Sequence, residues 1–128
     1  MSTLSLLQIG LIGLAGALGA VVRYIVGRSL AERTRSAFPL GTLFINVTGA
    51  FVIGLLSTLV GRHLISTMLQ VILATGFLGG YTTFSTMSWE GVQLARGGSK
   101  MASLLYLSGS LFVGLLAVAF GLALGWWL

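Results

Sequence analysis

Apolar residues run along this chain in four uncharged stretches, at 1–22, 36–61, 64–89 and 101–128, and every Lys, Arg, Asp and Glu falls in the gaps between them. Each stretch reaches the ~20 residues that carry a helix across a hydrocarbon core. A transmembrane barrel would instead alternate polar and apolar residues in segments of about ten, a pattern absent here. The expected fold is an all-α membrane protein with four transmembrane helices in one domain spanning residues 1–128.

The first helix is expected from about Leu4 to Leu30, carrying Gly10, Gly13, Gly16 and Gly19. Small residues at spacings of three and four admit another helix backbone at close range, where lipid removes the hydrophobic drive for association. The segment Ala31–Pro39 reads as a loop, and its proline favours an extended Phe38 and a new helix start. The second helix is expected at Gly41–Gly61, followed by the short connection Arg62–Ser66 with Ser66 as N-cap. The third starts near Thr67 and runs to about Ala95, and the fourth follows Lys100 and ends at Trp126-Trp127, an aromatic pair suited to the membrane interface.

The third helix is expected to break in mid-membrane. Gly79 and Gly80 each weaken a helix by about 1 kcal/mol relative to alanine, and the β-branched Thr82 and Thr83 add to that. Main-chain groups freed there find no partner in lipid, so they must face protein, water or an ion. A kink with hydroxyls bonded back to carbonyls one turn earlier is the simpler alternative. The cluster of five hydroxyl residues among Thr82, Thr83, Ser85, Thr86 and Ser88 favours the break.

Composition narrows the chemistry. Charged residues make up 7% of the chain against about a quarter in soluble domains, so the protein cannot face water on all sides. The net charge of +5 comes from cations beside span ends, where they anchor to headgroups, and nucleic acid is not an expected partner. The stretch Met1–Leu7 has no cation and opens an apolar run too long for a signal peptide, so it reads as part of helix one. Cysteine is absent, and His63 has no accompanying nucleophile motif, so no catalysis is expected.

Polar residues inside the spans mark the candidate path. Asn46 sits in an apolar run of helix two with Thr42 one turn before it, and Ser103, Tyr106, Ser110 and Gly114 form one stripe on helix four. Interhelical hydrogen bonding alone would account for either set. No carboxylate lies within a span except Glu90 near the end of helix three, whereas proton and cation paths usually carry one. Hydroxyls, an amide and electropositive ring edges suit an anion. Arg23 and Glu90 read as snorkelling or salt-bridged residues at the interface, with a vestibule role for Arg23 as the alternative.

Three segments together resemble the Fluc (CrcB) fluoride channels: Gly79-Gly80-Tyr81-Thr82-Thr83-Phe84-Ser85-Thr86, Gly41-Thr42-Leu43-Phe44-Ile45-Asn46 after Pro39, and Gly19-Ala20-Val21-Val22-Arg23-Tyr24. The likeness covers essentially the whole chain. It implies an antiparallel, dual-topology homodimer in the cell membrane with two narrow fluoride pores. It further implies a structural sodium ion on the two-fold axis, held by the carbonyls of Gly79 and Thr82, a hard-oxygen set that suits such a cation. The implied fluoride path runs past Asn46 and Phe84, along Thr83, Ser85 and Thr86, and on to Tyr106 and Ser110. Met87 stands where the family has a second phenylalanine.

Charge placement departs from that picture. Loops one and three carry Arg28, Arg33, Arg35, Arg96 and Lys100 against Glu32, while the other end of the bundle carries Arg62. Cytoplasmic loops attract such an excess, which favours one orientation and leaves open a heterodimer with an oppositely oriented homologue. Two other classes compete. A small proton-coupled multidrug transporter would need a buried acid in helix one, and there is none before Glu32. A non-conducting accessory subunit would have no use for polar faces on three helices.

Overall fold

The computed structural model describes residues 3–34 and 38–128. Among the described residues the secondary structure is entirely helical. Helix α1 spans Thr3–Thr34 and α2 spans Leu40–Gly61. The third segment is composite: α3 at Thr67–Gln70, a π-helical stretch at Val71–Leu78, one turn α4 at Gly79–Tyr81, and α5 at Phe84–Arg96. Helix α6 covers Lys100–Trp127. Three of these helices, α1, α2 and α6, are long and apolar enough to cross a membrane.

Helix α1 continues past the expected Leu30, so Ala31, Glu32, Arg33 and Thr34 belong to it rather than to a loop. An exposed Arg28 Nε to Glu32 Oε1 pair at 3.0 Å and the Thr34 Oγ1 bond to the Leu30 carbonyl at 2.8 Å support the added turn. At 1.5 Å per residue the helix is roughly 48 Å long, well beyond the ~30 Å hydrocarbon core, so these polar residues need not enter lipid. Residues 35–37 of the expected loop, Arg35 among them, lie outside the described residues. Ser66 caps α3 as expected, accepting from the Leu69 amide at 3.0 Å.

Glycine contacts set how the helices stack. A side chain on Gly19 would collide with the Phe77 carbonyl, and one on Gly80 with the Gly16 carbonyl, so α1 lies directly on the π-helical stretch and on α4. Helix α2 packs the same way on α6: a Cβ on Gly54 would meet the Val118 carbonyl and one on Gly121 the Phe51 carbonyl. Thr58 Oγ1 donates to the Leu122 carbonyl at 2.9 Å along that seam. Arg62 then donates from Nη1 to the Gly125 carbonyl at 2.7 Å, tying the turn after α2 to the end of α6.

The break in the third segment falls three residues later than the glycine pair suggests. Gly79 is helical, with φ −61° and ψ −36°, whereas Thr82 (φ −79°, ψ 159°) and Thr83 (φ −149°, ψ 118°) are extended. Gly80 therefore serves close approach to α1, and the threonines carry the break. The physical reason is that a glycine's helix penalty of about 1 kcal/mol is small beside helix packing, while an extended Thr83 offers its hydroxyl as a cap for the next helix.

Candidate ion pathway

The extended pair is held from α2. Thr83 N–H donates to Asn46 Oδ1 at 2.9 Å, and Asn46 Nδ2 donates to the Thr83 carbonyl at 2.9 Å. In an unbroken helix that Thr83 amide would bond the Gly79 carbonyl. The Asn46 carboxamide takes its place, and its orientation is fixed because Thr83 presents one donor and one acceptor. One turn along α2, Gly49 lies so close to Thr82 that a Cβ would collide with its methyl group. Beside them, Thr48 and Tyr81 share a hydroxyl hydrogen bond of 2.9 Å, and Thr48 also donates back to the Phe44 carbonyl at 2.8 Å.

Thr83 starts α5 with its hydroxyl, which accepts from the Thr86 amide at 3.1 Å and donates to Thr86 Oγ1 at 3.1 Å, with Ser85 Oγ at 3.3 Å. The three hydroxyls expected along the path thus form one local cluster. Thr83 is buried, but Ser85 and Thr86 are exposed, and the Phe84 ring is 77% exposed. A cleft of about 240 Å³ opens there between Asn46, Ala50, Thr83, Phe84 and Met87. Met87 lies one turn beyond Thr83 on α5, its Sδ 3.9 Å from Asn46 Nδ2.

A second polar centre lies on α6. Tyr106 is 1% exposed, its ring meeting Phe38 edge-on at 5.4 Å between centroids. Its hydroxyl faces Glu90 Oε1 at 3.5 Å and has the Thr42 hydroxyl as a further hydrogen-bond partner. Thr42 and Asn46 are one turn apart on α2, so this helix runs from one polar centre to the other. The Ser110 hydroxyl, one turn beyond Tyr106, is buried and has no hydrogen-bond partner among the described residues. A buried polar atom in that state is uncommon and calls for a small ligand or water.

Two sequence readings are narrowed here. Ser103 faces α5 as Tyr106 does, and its hydroxyl donates to the Gly91 carbonyl at 2.6 Å, the interhelical bonding given as the alternative for this stripe. Glu90 forms no salt bridge among the described residues and faces Tyr106 instead. Thr42 and Glu90 therefore share this polar centre with Tyr106. Thr42's place one turn from Asn46 was the available signal, whereas Glu90's partner on another helix left none in the sequence. Arg23 is half-buried on α1 and makes no ion pair among the described residues.

Residues 10–122 match the family model described as CrcB-like protein, Camphor Resistance (CrcB). The chain belongs to this family. It is 47% identical over 115 residues to the fluoride-specific ion channel FluC of Rhizobium meliloti, covering 89% of this chain and 92% of the relative. It is 44% identical over 112 residues to fluoride-specific ion channel FluC 2 of Clostridium acetobutylicum, covering 87% of this chain and 92% of that one. Leifsonia xyli subsp. xyli has a fluoride-specific ion channel FluC 1 that is 47% identical over 114 residues, covering 89% and 83% respectively. With its apolar helices, this CrcB family member is a multi-pass membrane protein.

Proposed function

We propose that this CrcB family member is a fluoride-selective channel that passively releases fluoride across the cell membrane. The reading rests foremost on one observation: Asn46 of α2 is bonded to the extended Thr83, which brings an amide donor to one cleft with Thr83, the residue from which the hydroxyl cluster continues. The relatives named as fluoride-specific channels, matched over nine-tenths of their length, give the anion its identity. Four spans, the third broken at membrane depth, are the arrangement in which such a break would be useful.

The ion would pass Asn46, Phe84 and Met87, then the hydroxyls of Thr83, Ser85 and Thr86, and reach Tyr106 and Ser110. These groups replace hydration water without fixed charge, which lets a small anion bind and still leave. Arg23 in a vestibule would raise the local anion concentration. The path needs a second wall, because Phe84, Ser85 and Thr86 are exposed on the single subunit. An antiparallel homodimer supplies that wall, and the charge bias between the two ends makes a heterodimer with a homologue the variant form.

A structural sodium ion would sit between the two copies on the carbonyls of Gly79 and Thr82. The fit is chemically sound: the Thr83 amide has left Gly79 for Asn46, and Gly79 is exposed with only the Ala74 carbonyl within 4 Å of its Cβ position, at 3.9 Å. Carbonyl oxygens are ligands a hard cation accepts.

The test is fluoride efflux, followed with a fluoride electrode, from liposomes containing only this protein. Rapid efflux under a fluoride gradient, with chloride retained, is the expected result. Liposomes that hold their fluoride would overturn the proposal.

A further inference from the structure

Met87 occupies the one hydrogen-bond donor that Asn46 has to spare. A carboxamide nitrogen carries two N–H groups. The reciprocal pairing of Asn46 with both main-chain atoms of Thr83 uses Oδ1 and one N–H, at 2.9 Å each. The second N–H is left for Met87, which lines the same cleft and whose Sδ lies 3.9 Å from Nδ2. Thioether sulfur is a weak acceptor on a flexible, unbranched side chain that changes rotamer readily.

We infer that Met87 is a displaceable acceptor: its sulfur covers the second N–H of Asn46 between ions and swings aside when an anion arrives. The inference rests on the channel reading above and assigns Met87 a rate- and affinity-setting role within it. Asn46 thereby divides its work, one edge holding the break and one proton meeting the ion. Because sulfur competes for that proton, its acceptor strength sets how readily a dilute anion enters. An aromatic ring at this position would leave the N–H uncovered.

The test compares three forms of the full chain in liposomes at low fluoride. Met87→Leu keeps the side chain's bulk and removes the acceptor. It should raise efflux roughly twofold to tenfold, the value of one neutral hydrogen bond converted to a ratio. The second form is reconstituted protein carrying Met68→Leu and Met101→Leu, treated with peroxide so that one oxygen atom passes to Met87 Sδ and water is released. The sulfoxide oxygen is a strong acceptor, so efflux should fall at least tenfold and return on treatment with methionine sulfoxide reductase and a thiol. Oxidation acts on protein that has already folded, which separates the effect from misfolding. The third form, Met87→Leu with the same two background changes, should ignore peroxide. Efflux from Met87→Leu at or below the unsubstituted rate, or an oxidised protein that conducts unchanged, would overturn the inference. Unsubstituted protein that releases no fluoride would instead overturn the channel reading.

Discussion

The carbonyl of Gly16 lies against Gly80 so closely that no side chain fits between them, whereas the neighbouring Gly79 faces open space. Adjacent in sequence, the two glycines have different tasks. Gly80→Ala would force α1 away from the third segment at a backbone-to-backbone contact that cannot yield locally. A loss of about 1–3 kcal/mol is expected, the usual result of overpacking, seen as a lower midpoint of thermal unfolding in detergent.

Gly79→Ala should leave the subunit itself intact, since the added Cβ meets only the Ala74 carbonyl at an ordinary 3.9 Å. Its effect should appear between subunits. Energy transfer between labelled copies in liposomes is expected to drop for Gly79→Ala, while a parallel change at Gly61, which also faces open space but lies at the end of α2, leaves it unchanged. Equal association in both variants would remove Gly79 from the proposed dimer axis.

Asn46→Asp replaces an N–H that bonds the Thr83 carbonyl with an oxygen that repels it. The same change sets a negative charge in the cleft. Breaking a bond to a half-buried group costs about 1–3 kcal/mol, so the midpoint of unfolding should fall, and fluoride efflux should fall below detection. Asn46→Ala makes a useful companion: it strands both Thr83 main-chain groups without adding charge. It should unfold as readily as Asn46→Asp, and a comparable loss of flux would place the effect in the lost carboxamide rather than in the added charge.

Three of the spans, α1, α2 and α6, were legible because burial in lipid demands long apolar runs, and charge marks where they stop. Trp126-Trp127, Ser66 and the start at Thr67 followed from local chemistry and agree with the structure. The pairing of Asn46 with the third segment was only half legible: an amide at that depth needs partners, but its partner lies 37 residues away on the main chain of Thr83. The break was misplaced onto Gly79-Gly80 because propensity is a local quantity, while the close contact of α1 with Gly80 that keeps this turn helical is not. The same limit hid Arg62, which reads as a loop cation and is in fact bonded to the far end of α6.

Ser110→Ala separates conduction from folding. The hydroxyl is buried and unpartnered among the described residues, so removing it takes away a desolvated group and breaks no bond within the chain. Stability should hold or rise by about 1 kcal/mol, opposite to the usual effect of deleting a buried polar side chain. Fluoride efflux should fall several-fold, because the ion loses a donor on its way past Tyr106. A destabilised variant with normal efflux would mean that Ser110 serves packing and not the path.

Arg62→Met tests the opposite case, a residue whose role is in the scaffold alone. The guanidinium bonds the Gly125 carbonyl at 2.7 Å and the Trp126 carbonyl at 3.3 Å, and lies 5.8 Å from the Trp126 ring centroid. It thus satisfies carbonyls that α6 leaves open at its C-terminus and places a cation at the negative end of that helix. Methionine keeps the aliphatic stem and loses the donors. A fall of about 1–2 kcal/mol in stability is expected, read from thermal unfolding, with unchanged fluoride efflux at a temperature well below the transition. Loss of efflux with an unaltered melting midpoint would instead bring the end of α6 into the conduction path.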